Sequence, residues 1–235
     1  MQTIYNTVFN AYKKNQKLLA ILVDPEKFKP EDTTAFLQKI PVSTTFLFVG
    51  GSTSHQKQTE TVILTLKSQS QLPVILFPGD EQQISIQANG ILFLSLLSGE
   101  NPEYLIRQQV KAAQKLKNST MEIIPTAYIL IDGGVQTAVE RVSNTRPLPQ
   151  ENVEQIVNTA LAGQYSGKKL VYLEAGSGAK KRVSNEIIKN VSKALNIPLI
   201  VGGGINSLEA IHEVYQSGAT MAVVGTAFET NTFKN

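Results

Sequence analysis

The chain has 235 residues, 42% of them hydrophobic and 17% charged, with a formal net charge of +3. That length buries a full core and lies in the range of a one-domain α/β barrel. The absence of cysteine excludes disulfides, thiolate metal sites and a thiol nucleophile. The two histidines, His55 and His212, lack the ligand spacing of a zinc site.

The N-terminal segment MQTIYNTVFNAYKKNQK predicts a polar amphipathic helix with Ile4, Val8 and Tyr12 on one face. It lacks the apolar core of a signal peptide, and no run is long enough to cross a membrane, so a soluble, cytoplasmic protein is expected. Eight apolar runs then follow, at 18–24, 44–50, 73–79, 90–97, 126–133, 168–176, 198–204 and 221–227. They are continuous rather than alternating, as expected of strands buried on both faces. Helical patterns such as TETVILTLKSQ, NPEYLIRQQVKAAQKL and NVEQIVNTALAGQY lie between most of them. This alternation predicts an α/β fold, a (β/α)8 TIM-type barrel forming one domain over 1–235.

Two intervals break the pattern. PGDEQQISIQANG, between the third and fourth runs, is too short for a helix with two loops, so the outer helix there is shortened or missing. Between the fifth and sixth runs lies a long insertion containing Arg146-Pro147-Leu148-Pro149. The densest basic cluster, Lys180-Lys181-Arg182, reads as solvated surface or as a rim attracting an anionic substrate. It lacks the length and interleaved aromatics of a nucleic-acid stripe, and no nucleic-acid partner is expected.

Barrel enzymes place their active-site groups at the C-terminal ends of strands. Glycine collects at those ends in this chain: Gly176-Ser177-Gly178, Gly202-Gly203-Gly204 and Gly225-Thr226. Such turns aim several N–H groups at one point, which suits a phosphate, although each glycine by itself only permits a tight turn. Glu174, ahead of the first turn, is the candidate for direct chemistry, accepting a hydrogen bond or a proton from a polyol hydroxyl; a structural salt bridge to a lysine is the competing reading. Tyr172 shares its side of the strand and either binds substrate or fills the barrel. Asp24, ending the first run, either holds Mg2+ together with the Ser52 hydroxyl or starts a turn through Pro25. For Asp132, followed by Gly133-Gly134, the turn reading is favoured.

The ordered series LVDPEK, FVGGST, LFPGD, LFLSLLSGENPEYLI, YILIDGGVQTAVE, ALAGQY, LVYLEAGSGA, IVGGGI and VVGTAFE resembles the geranylgeranylglyceryl phosphate synthase family over residues 18–229. The YLEAGSGA block is its most specific element. The resemblance implies a prenyltransferase joining a polyprenyl diphosphate, geranylgeranyl by expectation, to the C3 hydroxyl of sn-glycerol 1-phosphate. It assigns the glycerol phosphate to Tyr172, Leu173, Glu174, Ala175, Gly176, Ser177, Gly178, Gly203, Gly204, Gly225 and Thr226. It assigns Mg2+ to Asp24 and Ser52; Glu174 and Tyr172 are the candidate catalytic residues, Glu174 orienting or deprotonating the acceptor hydroxyl. A homo-oligomer, dimer or hexamer, and a transient membrane contact for the lipid product are implied as well. One branch of the family carries a lysine two residues before the metal aspartate. Leu22 stands there in this chain, which places it nearer the second, larger-oligomer branch. The thinned wall at 78–90 and the run Ile91 to Leu97 are the expected exit of the prenyl tail. A sugar-phosphate isomerase or aldolase, or a non-catalytic phosphate-binding barrel, are the alternatives; the first wants a Schiff-base lysine or a second carboxylate, for which the rim offers only Lys27 and Asp80.

Overall fold

In the computed structural model, which describes residues 3–51, 53–230 and 232–234, eight parallel strands close into a barrel in sequence order. They are β1 (Leu18–Val23), β2 (Thr44–Val49), β3 (Val74–Leu76), β4 (Gly90–Leu96), β5 (Glu122–Leu130), β6 (Leu170–Glu174), β7 (Leu199–Gly202) and β8 (Met221–Val224), with β8 pairing back onto β1. The uniform apolar runs divide by side-chain alternation. Ala20, Phe46, Phe48, Leu92, Tyr128, Tyr172 and Val223 point into the barrel. Ile21, Leu47, Ile129, Val171, Leu173 and Val201 point outward, onto the helices.

Each end of the barrel is treated differently. Helix α1 (Ile4–Lys13) closes the N-terminal end, burying Ile4, Val8 and Ala11 in the inner cluster. Tyr12 lies at its edge, where its hydroxyl approaches the Leu195 carbonyl at 3.5 Å. The Glu122 carboxylate at the start of β5 accepts from the N–H groups of Ile4 and Tyr5, the latter at 2.9 Å. An anion at two free amides of a helix N-terminus satisfies donors that have no partner within the helix.

The outer ring consists of α2 (Thr33–Lys39), α3 (Gln56–Gln69), α4 (Gln108–Leu116), α5 (Ala138–Ser143), α6 (Val153–Tyr165), α7 (Asn185–Ala194), α8 (Leu208–Gln216) and the short α9 (Thr226–Glu229). Ser184 and Ser207 cap α7 and α8, and Thr137 with Glu140 forms a capping box on α5. Between β3 and β4 there is only a 3-10 turn, Glu81–Gln83, so the expected gap in the wall is present. The insertion after β5 holds α5, then returns Leu148 to bridge with Ile131. No described helix is long and apolar enough to cross a membrane.

The strands end earlier than the apolar runs, most of all β3, β6, β7 and β8, where the last residues of each run belong to the loops, and β5 is displaced toward the N-terminus. β3 is three residues rather than seven, although Phe77 N still donates to Val49 O at 2.8 Å just beyond its end. β5 begins at Glu122, ahead of Pro125, where the sequence suggests a later start. Proline is tolerated because its carbonyl accepts from Lys169 N at 2.8 Å on the β6 side. Its missing N–H would point the same way, before β6 has begun to pair at Thr126 and Leu170.

Candidate active site

A cavity of about 610 Å3 opens at the C-terminal end of the barrel. One side is walled by the glycine loops after β6, β7 and β8, another by Asp24, Lys27 and Glu229, and a third by apolar residues of β4 and α4.

Glu174 lines the cavity beside the glycine loops after β6 and β7. It is 7% exposed, and its Oε1 accepts the Gly176 N–H at 2.7 Å. Burial raises its pKa to about 7, opposed by that N–H and by the neighbouring Tyr172 hydroxyl. No lysine or arginine pairs with it among the described residues, so the salt-bridge reading is set aside. Tyr172 is fully buried, and burial first, then the Glu174 charge, push its hydroxyl well above the usual tyrosine range. That hydroxyl lies beside Glu174 Oε2, both within 2.7 Å of the point a Gly202 Cβ would occupy. It meets hydrogen-bond geometry with no described group.

Tyr172 also fills the barrel. Its ring stacks on Phe77 at 5.2 Å and meets Tyr128 edge-on at 5.5 Å, forming an aromatic floor under the cavity. The filling reading therefore holds for the ring. Phe77 and Tyr128 were not singled out from sequence: the uniform run TAYILIDG carries no mark of which residue faces the mouth.

The loops after β6 and β7 close on Glu174, and the loop after β8 joins them through Ser177. Gly176, Gly178, Gly203 and Gly204 all adopt positive φ, a region that strains other residues. Ser177 Oγ and Thr226 Oγ1 are 2.9 Å apart, tying the β6 loop to the β8 loop. Of the residues assigned to glycerol phosphate, Tyr172, Glu174, Gly176, Ser177, Gly178, Gly203, Gly204, Gly225 and Thr226 line the cavity. Leu173 and Ala175 do not. Their side chains belong to the outer core, and the Ala175 N–H is committed to Gly202 O at 3.1 Å. Strand alternation turns every second residue of the segment away from the mouth.

Across the mouth, Asp24 both caps a turn and faces the cavity. Its Oδ1 accepts from Glu26 N at 3.0 Å, and its Oδ2 lies 3.1 Å from Lys27 Nζ. Ser52 lies outside the described residues. The partner that sequence reasoning missed is Glu229 of α9. Its Oε1 accepts from Asp24 N at 3.1 Å, and its Oε2 lies 3.3 Å from Lys27 Nζ. Burial raises the Glu229 pKa, while Lys27 opposes this. Asp132 makes the turn favoured for it, accepting from Gly134 N at 2.8 Å. In the basic cluster, Arg182 pairs with Glu213 and with Asn185 at 2.7 Å, while Lys180 and Lys181 are exposed outside the cavity lining.

The apolar side runs from Phe77 past Ile91, Leu94 and Ala112 to the gap between β3 and β4. A π-helical turn at Glu103–Arg107 carries Tyr104 over it, with the hydroxyl donating to Val142 O at 3.0 Å. Gln109 Nε2 donates to Tyr104 O within the π-turn at 3.1 Å.

The PcrB family model matches residues 11–235. A protein from Zunongwangia profunda named geranylgeranylglyceryl phosphate synthase is 54% identical, covering 100% of both chains. One of the same name from Flavobacterium johnsoniae is 52% identical, covering 97% of this chain and 95% of its own. The crystal structure of (S)-3-O-geranylgeranylglyceryl phosphate synthase from Thermoplasma acidophilum, in complex with sn-glycerol-1-phosphate, superposes with a TM-score of 0.92 at 37% identity. It covers 97% of this chain and 92% of its own.

Proposed function

Because the chain belongs to the PcrB family, we propose that it transfers a polyprenyl group, geranylgeranyl by preference, from its diphosphate to the C3 hydroxyl of sn-glycerol 1-phosphate. The observation that carries this reading is the place of Glu174. A carboxyl with a pKa of about 7 stands in one cavity between a glycine-lined anion nest and an apolar groove.

The acceptor phosphate rests on the loops of Gly176 to Gly178, Gly203-Gly204 and Gly225-Thr226, where backbone N–H groups and the two linked hydroxyls supply donors. Bound there, glycerol phosphate extends its C3 hydroxyl toward Glu174. The ionised carboxylate takes the hydroxyl proton as the oxygen attacks the allylic C1. The C1–O bond to diphosphate breaks, diphosphate leaves with the electron pair, and an ether bond forms. A base with a pKa near the working pH is effective in this role. The aromatic floor of Phe77, Tyr128 and Tyr172 seals the site from below and keeps water from the reacting carbon. The prenyl chain lies along Ile91, Leu94 and Ala112 and leaves through the gap between β3 and β4.

The donor side suits a magnesium ion. Asp24 supplies one hard carboxylate at the cavity wall, and its Oδ2 already holds a cation, the Lys27 ammonium, at 3.1 Å. Magnesium takes one or two protein carboxylates and fills its remaining positions with water and substrate phosphate, and no cluster of three acidic or histidine side chains is present among the described residues. Bound at Asp24, with Ser52 as second ligand, Mg2+ would supply charge neutralisation of the leaving diphosphate.

The test is direct. Purified protein, Mg2+, sn-glycerol 1-phosphate and radiolabelled geranylgeranyl diphosphate are incubated and the ether product is extracted. Folded protein that yields no product with any prenyl chain length would overturn the reading.

A further inference from the structure

The donor side of the cavity holds a group that neither the anion nest nor the proton transfer uses. Lys27 and Arg141 are the only cationic side chains lining the cavity among the described residues. Arg141 is carried by α5, in the insertion after β5, and is exposed. Lys27 stands in the turn after β1, on the Asp24 side.

Its setting is a built one. The ammonium lies between two carboxylates from opposite ends of the chain, 3.1 Å from Asp24 Oδ2 and 3.3 Å from Glu229 Oε2. Both carboxylates are mostly covered, with 18% and 14% side-chain exposure, whereas the lysine side chain is 51% exposed. Glu229 is anchored by its other oxygen to the Asp24 N–H. The turn is tied to the β2 loop by Thr53 Oγ1 donating to Glu26 Oε2 at 2.9 Å. The carboxylates are thus fixed and the ammonium is the movable member, on a flexible four-carbon stem.

Charge decides what this arrangement does. Two carboxylates and one ammonium sum to a negative charge, which repels a diphosphate unless cations are added or redirected. A cation held at Asp24 would compete with Lys27 for Oδ2 by like-charge repulsion. Glu229 Oε2 then remains as its anchor at the cavity wall. Resting on the prenyltransferase reading above, we propose that Lys27 binds the diphosphate of the prenyl donor and that Glu229 is the residue positioning it. Before donor and metal arrive, the same ammonium neutralises Asp24 and Glu229, whose mutual repulsion would otherwise splay the first and last loops.

Inorganic pyrophosphate is the probe, titrated calorimetrically into the full chain with Mg2+ present. Lys27→Met is expected to weaken pyrophosphate binding at least tenfold while leaving sn-glycerol 1-phosphate affinity within twofold. Mg2+ alone should bind Lys27→Met as tightly as wild type or more tightly, since a competing cation is gone. Lys27→Arg should recover most of the pyrophosphate affinity. Glu229→Gln should weaken pyrophosphate binding severalfold, with melting temperature followed to separate positioning from unfolding. Unchanged pyrophosphate affinity in Lys27→Met, or equal weakening toward both substrates, would overturn the proposal. Wild-type protein that makes no ether product would instead overturn the underlying reading.

Discussion

Gly203 passes so near Glu174 that a Cβ on it would stand 2.4 Å from Oε1 and 2.6 Å from Gly176 N. Its φ of +81° is closed to ordinary side chains as well. Gly203→Ala must therefore displace the carboxylate or the β6 loop. We expect at least a tenfold rise in the KM for sn-glycerol 1-phosphate and a loss of about 1–3 kcal/mol of stability. Steady-state kinetics and thermal melting check both. Wild-type values would show that the two loops do not act as one unit.

Glu174 controls the pH response. Acting as a base, it must be ionised, so kcat/KM should fall about tenfold per pH unit below about 7 and level off above. Glu174→Gln should remove that limb and lower turnover at least a hundredfold, about 2.7 kcal/mol of transition-state stabilisation. A variant within a few-fold of wild type would remove the assigned role.

The same carboxyl makes an opposite prediction for stability. Its folded pKa of about 7 lies above the unfolded value, so the folded chain holds a proton that the unfolded chain has released. Stability contributed by the protonated form is complete at pH below the unfolded value and is lost as pH rises through about 7. Glu174→Gln, which cannot ionise, should melt higher than wild type at pH 8 and close to it at pH 4. Equal melting differences at both values would contradict this burial effect.

Asp24→Ala removes the carboxylate assigned to Mg2+ and a partner of Lys27. We expect a hundredfold or larger loss of turnover, and a loss of wild-type activity on chelation that added Mg2+ reverses. Retained activity in excess chelator would sink the metal assignment.

Away from the site, Glu122→Ala strips two acceptors from the N-terminus of α1. A loss of about 1–2 kcal/mol is expected, read as a drop of about 2–8 °C in melting temperature, with kcat unchanged. A large fall in kcat would mean that the plug at the N-terminal end communicates with the mouth.

The sequence by itself determined the barrel and the end of it that carries the chemistry. Continuous apolar runs report strands covered on both faces, and glycines report turns, because both are local properties of the chain. The short interval at 78–90 likewise declared the missing helix, since thirteen or so residues cannot span two loops and a helix. Which residues meet across the mouth was decided only by tertiary structure. Leu173 and Ala175 sit in the most legible motif of the chain and still face away, because a continuous apolar strand does not announce its inner side. Asp24 and Glu229 are 205 residues apart and come together because β8 closes onto β1. Glu174 itself was legible as a carboxylate at a strand end. Its pKa of about 7 arises from burial against Tyr172 and the converging loops, an environment that exists only once the ring is closed.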